Sequence, residues 1–316
     1  MMYHYLEGVY SALTKFFSSR LIWTETSQPR TNDIDPVQYF TGNFVAEQPH
    51  DHNLLSIGIF AKVHILDGKV VRKIPRSGSP EDKLPISRES HIYKLLGDHP
   101  RIAQCLFGSD DFVDIQYYPN GNLMDYIREH HNSVSLAVRL NWFRQIIEAV
   151  VKIHAHGVIH SDLALRQFFL DGNKDVRLGD FNSSQWPGGM ALGYEKASHC
   201  LPRDYEEPNT VTSDLFALGS TLYELMTGTV PHCDLLPVES EDILKSNDPS
   251  VIQGRILREE KADLAIAELF VKQVFPDVSN LPGGDIILKC WRCQFSSAQD
   301  VLEQYQKSQI IFDSQA

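Results

Sequence analysis

From Leu54 to Ile74 apolar and polar positions alternate with period two, and Asp67-Gly68 separates Val63-His64-Ile65-Leu66 from Lys69-Val70-Val71-Arg72-Lys73. Alternation of this kind predicts paired strands, and Asp-Gly supplies the positive φ of a two-residue hairpin turn. Lys73 is expected at the end of the second strand of that hairpin. Residues 76 to 83, with Ser77, Gly78, Ser79 and Pro80, read as a loop. Residues 86 to 96 read as a helix with Ile92, Leu95 and Leu96 inward, and Asp111 to Tyr118 as a strand. Beyond Pro119 the period lengthens: Leu136, Leu140, Phe143, Ile147, Val150 and Val151 form one apolar face of a long helix. A second helix is framed by Thr212-Ser213 as cap candidates and by Gly228 as a stop. Ser297-Ala298-Gln299-Asp300 resembles a capping box that opens the last helix. Ahead of all this, Tyr3, Leu6, Val9, Tyr10, Leu13 and Phe17 fall near helical spacing, and Ser27 to Asp35 reads as a linker. The expected division is an extension over 1–50, a small strand-rich lobe with one helix over 51–118, a larger helical lobe over 119–310 and a tail over 311–316.

Composition narrows the setting. A chain of 316 residues with 42% hydrophobic content can bury a large core in two lobes or domains. A net charge of −12 gives no electrostatic footprint for nucleic acid or an anionic membrane surface, so both are set aside as partners. No apolar run approaches the roughly 18 residues of a membrane span. Met1 to Phe17 carries Glu7 and lacks the basic start and cleavage site of a signal peptide, which points to an intracellular, cytoplasmic protein. Five cysteines, an odd number, argue against a disulfide framework. Cys290-Trp291-Arg292-Cys293 stands alone, without a second pair to complete a zinc site, and reads as helix packing.

The candidate chemistry sits near the middle. Gly157-Val158-Ile159-His160-Ser161-Asp162-Leu163-Ala164-Leu165-Arg166-Gln167 is followed by Leu178-Gly179-Asp180-Phe181-Asn182. These segments resemble the catalytic loop, His-Arg-Asp-Leu-x-x-x-x-Asn, and the Asp-Phe-Gly segment of eukaryotic protein kinases. Ser56-Ile57-Gly58-Ile59-Phe60-Ala61-Lys62-Val63 stands where that family has its glycine-rich loop, with Gly58 alone of three glycines kept. The resemblance implies an α+β, two-lobed protein kinase-like fold from about Leu54 to Gln306: a small antiparallel sheet with one helix, then a mainly helical lobe.

The same resemblance implies roles. Asp162 would be the base that takes the substrate hydroxyl proton, with Arg166 beside it. Lys73 would contact the phosphates of ATP and pair with Glu89, and Asp180 and Gln167 would hold Mg2+. Ile115 would be the gatekeeper. Gly58, Val63, Val71 and Phe169 would surround the nucleotide, the backbones of Gln116 and Tyr118 would face adenine, and Asn122 could reach the ribose. Asp214 would hold the catalytic loop. Tyr93, Cys105, His160 and Phe181 match positions that stack through both lobes.

The departures have physical content. Ser161 replaces an Arg that is the usual counter-charge for a phosphorylated activation segment, so activity would not depend on that switch. Gln167 sets its amide oxygen one methylene further out than Asn, and magnesium tolerates little displacement. Asn182 replaces Gly, and Asn is the residue other than Gly best suited to positive φ. Val71 and Phe169 are bulkier than the family's residues around adenine. Leu201-Pro202-Arg203 stands where Ala-Pro-Glu ends the activation segment, and its acid and the basic partner after the Cys-Trp helix are expected to be lost together. The leading reading is an ATP-dependent protein kinase. Serine or threonine is the acceptor on family priors, and tyrosine the alternative suggested by Leu163-Ala164-Leu165-Arg166-Gln167. A pseudokinase scaffold is the runner-up, and a small-molecule phosphotransferase stands third because Trp291 and the final helix look like those of protein kinases. The substrate and the oligomeric state are left open.

Overall fold

The computed structural model describes residues 53–58, 60–205 and 207–313. The candidate N-terminal helix, its linker and the last three residues lie outside them, and Ile59 and Glu206 are likewise not described.

The chain first builds a five-stranded antiparallel sheet in the order β1-β2-β3-β5-β4. Its strands are β1 (Leu54–Ile57), β2 (Ala61–Leu66), β3 (Val70–Pro75), β4 (Cys105–Gly108) and β5 (Val113–Gln116). The β2–β3 connection is Asp67-Gly68-Lys69, one residue longer than the expected two-residue turn, between the paired Leu66 and Val70. Asp67 and Gly68 take left-handed φ of 47° and 70°. Lys73 lies inside β3, two residues short of its end, and not at the strand end expected from the sequence.

Helix α1 (Pro80–Leu96) crosses this sheet. It begins six residues before the expected start, because the presumed loop carries its N-terminal signals. Ser79 accepts a hydrogen bond from the Asp82 amide, Pro80 follows it, and Glu81 and Asp82 occupy the first turn. Ile86, Ile92, Tyr93 and Leu96 are buried beneath the helix, whereas Leu95 is exposed.

The rest is mainly helical: α2 (Leu123–His130), α3 (Leu136–His154), α4 (Val211–Thr227), α5 (Glu241–Lys245), α6 (Pro249–Val271), α7 (Gly284–Trp291) and α8 (Ala298–Asp313). Trp142, Phe143, Ile146, Ile147 and Val150 of α3 are fully buried, as are Phe216, Leu218 and Leu222 of α4. Thr210, and not Thr212 or Ser213, caps α4: its hydroxyl and that of Ser213 exchange hydrogen bonds with each other's amides. Gly228 ends the helix in the left-handed conformation, as expected. Ser297 accepts from the Asp300 amide at the start of α8. Cys290 is buried in α7, but Cys293 lies beyond its end and is exposed, and all five cysteines are free.

Between α3 and α4 a two-stranded ribbon, β6 (Phe168–Leu170) and β7 (Val176–Leu178), flanks the segment that holds the charged motifs. Among the described residues no helix is long and apolar enough to cross a membrane.

Candidate active site

Strand alternation divides the charges of β3 between two faces. Arg72 turns to Asp114 of β5, donating from Nε and Nη2 at 2.8 and 2.7 Å, and lies 4.0 Å over the Phe112 ring. Val71 and Lys73 share the opposite face, and Val63 of β2 lies directly across from Lys73.

Lys73 joins three elements. Its Nζ donates to both Glu89 oxygens of α1 at 2.9 Å, and to Asp180 Oδ1 at 2.5 Å. Glu89 is fully buried and Lys73 nearly so. Burial alone would lower the pKa of Lys73, but Asp180 and Glu89 outweigh it and hold the ammonium above its ordinary value. For Glu89, burial prevails over Lys73 and raises the carboxyl. For Asp180, burial opposes ionisation, yet Lys73 keeps the carboxyl below its ordinary range.

Asp180 is also where the backbone turns, with φ of 63°. Asn182 does not take the positive φ that its place after Asp-Phe suggested. It donates instead from Nδ2 to Asp180 Oδ1 at 2.8 Å. The left-handed residue is thus the metal-candidate Asp, and the Gly-to-Asn departure adds a side-chain contact to it.

The loop bearing Asp162 hangs from α4. Fully buried Asp214 accepts from the His160 amide at 2.7 Å and the Ser161 amide at 3.1 Å, and faces His154 Nε2 at 3.0 Å. These bonds fix Ser161 at φ 67°. Its hydroxyl donates inward to the Ile159 carbonyl at 3.2 Å, so the position that carries a cation in the family carries a self-satisfied neutral group here. Asp162 receives Arg166 on Oδ1 and the Gln167 amide nitrogen, at 2.7 Å, on Oδ2. Burial raises its pKa although Arg166 pulls the other way.

The hinge candidates are placed by the sheet edge. Gln116 pairs with Val70, and the Tyr117 amide donates to the Lys69 carbonyl at 2.7 Å. Tyr118 is buried: its hydroxyl accepts from the Gln104 amide at 2.9 Å, and its ring stacks on Phe169 at 6.0 Å and 20°. Val63, Val71 and Phe169 remain half-buried. Gly58 donates to the Ala61 carbonyl at 2.8 Å in the β1–β2 connection. Asn122 caps α2, exchanging bonds with the Asp125 amide and carboxylate at 2.9 and 2.7 Å.

Aromatic packing ties the lobes together. Tyr93 meets Phe181 edge-on at 5.1 Å, and Phe181 meets His160 at 5.4 Å. Cys105 is half-buried against the same core.

The end of the activation segment is repacked around a different pair. Arg203, standing where the family has its acid, donates to Glu195 at 3.1 Å, with the Glu195 side chain fully buried and Arg203 nearly so. Arg203 also reaches Asn209 and the Leu201 carbonyl. The charges are reversed and drawn from nearby positions. Acid and base only eight residues apart were the available signal.

The model of the protein kinase domain matches residues 62–263. The chain belongs to the protein kinase domain family. This kinase domain is 32% identical over 203 residues to a carbon catabolite-derepressing protein kinase of Secale cereale, covering 57% of the chain and 40% of that protein. It is 30% identical over 260 residues to NUAK family SNF1-like kinase 1 of Mus musculus, covering 70% and 38%. With the hormonally up-regulated neu tumor-associated kinase of Mus musculus it shares 28% over 197 residues, covering 56% and 27%. The chain therefore spans less than half the length of these curated relatives.

Proposed function

We propose that this kinase domain transfers the γ-phosphate of ATP to a hydroxyl of a protein substrate. The observation that carries the reading is the bridge from Lys73 to Glu89 and Asp180, built beside an Asp162 whose loop is anchored by Asp214. Phosphoryl transfer asks the protein mainly for positioning and charge stabilisation. Lys73, oriented by Glu89, would hold phosphate oxygens once it leaves Asp180. Asp162 would orient the acceptor hydroxyl and take its proton, and its raised pKa favours that step. Arg166 holds this carboxylate in place.

The residues present fit magnesium and ATP. Magnesium in such sites takes one or two protein oxygens, with phosphates and water supplying the rest. Gln167 gives its amide nitrogen to Asp162, so its amide oxygen would be the group it offers to magnesium, together with Asp180, whose Oδ1 accepts from Lys73 and Asn182. Magnesium, when bound, would neutralise charge on the phosphates. Among the described residues no three His, Cys, Asp or Glu side chains converge as a metal cage, in keeping with a site completed by phosphate. Half-buried Val63, Val71 and Phe169 offer an apolar face to adenine, with Gly58, the Gln116 carbonyl and the Tyr118 amide at its edges. A ribose contact from Asn122 competes with its cap on α2.

Serine or threonine is the proposed acceptor. The close Arg166–Asp162 pair keeps tyrosine as the alternative. Five free cysteines fit a reducing, intracellular setting. The test is transfer from labelled ATP to protein in the presence of magnesium: Asp162→Asn should lower it by about 10² to 10⁴ while nucleotide binding persists. Unchanged transfer in that variant would remove the assignment. A scaffold reading draws on the thinned glycine loop, Gln167, and Val71 with Phe169, whose ring stacks on Tyr118.

A further inference from the structure

Arg88, the residue before Glu89 on α1, is buried without an acidic partner among the described residues. Its Nη1 donates to the Ser184 carbonyl at 3.1 Å, Nε has no partner, and the guanidinium lies 4.8 Å over the Trp186 ring. Burial lowers its pKa to about 10. A buried cation satisfied by one carbonyl and an indole face has been placed there at some cost.

The indole is itself firmly seated. Trp186 and Gly189 exchange backbone hydrogen bonds at 3.1 and 2.9 Å around Pro187-Gly188, with Gly188 at φ 96°. A side chain at Gly189 would come within 2.4 Å of the indole, and one at Gly157 within 2.8 Å of Pro187. The turn is thus packed between α1, where His91 also meets Trp186 at 5.2 Å, and the loop after α3. Just upstream, Gln185 pairs with Ile159 through two bonds of 2.9 Å, and the Ser184 hydroxyl donates to the His160 carbonyl at 2.8 Å.

We infer that Arg88 and the Trp186–Gly189 turn form a latch that holds α1, and with it Glu89, against the catalytic loop without a phosphate on the activation segment. Ser161 carries no charge to gather a phosphoryl group, and the indole offers Arg88 the electron-rich surface that a phosphate would otherwise provide. Arg88 is a positioning residue: it acts on Lys73 through its neighbour Glu89. The kinetic consequence rests on the proposed phosphotransfer, whereas the mechanical one does not.

Hydrogen exchange of the full-length protein separates the two. After phosphatase treatment the wild type should keep slow exchange in 86–96 and 181–192. Trp186→Ala and Arg88→Gln should each speed exchange in both segments by roughly tenfold, the scale of a desolvated cation–π contact, with α3 and α4 unchanged. Trp186→Phe should recover most of the protection. If Trp186→Ala fails to fold, Arg88→Gln decides, because it keeps a donor for the Ser184 carbonyl and removes only the cation. Loosening of the wild type by phosphatase, or unchanged exchange of 86–96 in both variants, would overturn the latch. Where transfer is measurable, kcat should fall in the same variants with KM for ATP little changed. Absence of transfer in every form, with exchange behaving as stated, would reject the phosphotransfer reading and leave the latch standing.

Discussion

The two ends of the cleft between the lobes obey different rules. At the charged end the candidate groups are kept and mutually engaged: Lys73 with Glu89 and Asp180, Asp162 with Arg166 and Gln167, and the loop beneath with Asp214. At the apolar end only shape is required, and there stand Val71 on β3 and Phe169 stacked on Tyr118, both bulkier than the kinase resemblance leads one to expect around adenine. A buried charge cannot be altered singly without leaving its partner stranded, so the charged end resists piecemeal change. An apolar slot can take an overpacking substitution at about 1 to 3 kcal/mol, so it can drift while the fold survives.

That contrast can be broken most forcefully at Glu89. Glu89→Ala leaves Lys73 with Asp180 alone and should cost about 3 kcal/mol in denaturant unfolding, the low end for a broken buried pair because one partner remains. A loss below about 1 kcal/mol would mean the pair is not structural. Next comes the apolar end. Val71→Ala with Phe169→Leu should tighten ATP about tenfold in a binding titration, as relief of one over-packed contact allows. Unchanged affinity would show that bulk there does not limit the nucleotide.

The smallest expected effect is one of slope. Burial raises Glu195 to about 7 despite Arg203, above the usual carboxyl range. An acid whose pKa is raised by folding contributes stability below its unfolded pKa and loses it as pH rises through the folded value. Stability from this group should therefore decline from about pH 4.5 to about pH 7. Glu195→Gln should flatten that limb in thermal unfolding, and an identical slope in the variant would contradict the assignment.

Much of the architecture was legible because periodicity and turn chemistry are local. Asp67-Gly68, Gly228 and the inner part of the α3 stripe behave as their residue types dictate, whereas Leu136 at the start of that stripe is exposed. The α1 start was misjudged because Ser79-Pro80 serves equally as loop punctuation and as a cap followed by the first helical residue. The pairing of Lys73 with Glu89 was legible through the resemblance to protein kinases, which carries over their order and separation along the chain. What escaped depended on three-dimensional neighbours. Arg203 and Glu195 offered only their eight-residue separation, and nothing local says that Asn182 turns to Asp180 while Asp180 takes the positive φ, or that Arg88 lies over Trp186.

We propose that the charged end is a working nucleotide site. Thermal stability titrated with ATP, with and without magnesium, tests it most directly, because a ligand confined to the folded state must stabilise it. At a hundred times the dissociation constant the gain should be about 2.7 kcal/mol, dependent on magnesium and lost in Asp180→Asn. No stabilisation at millimolar ATP, or a gain that survives Asp180→Asn unchanged, would contradict the account.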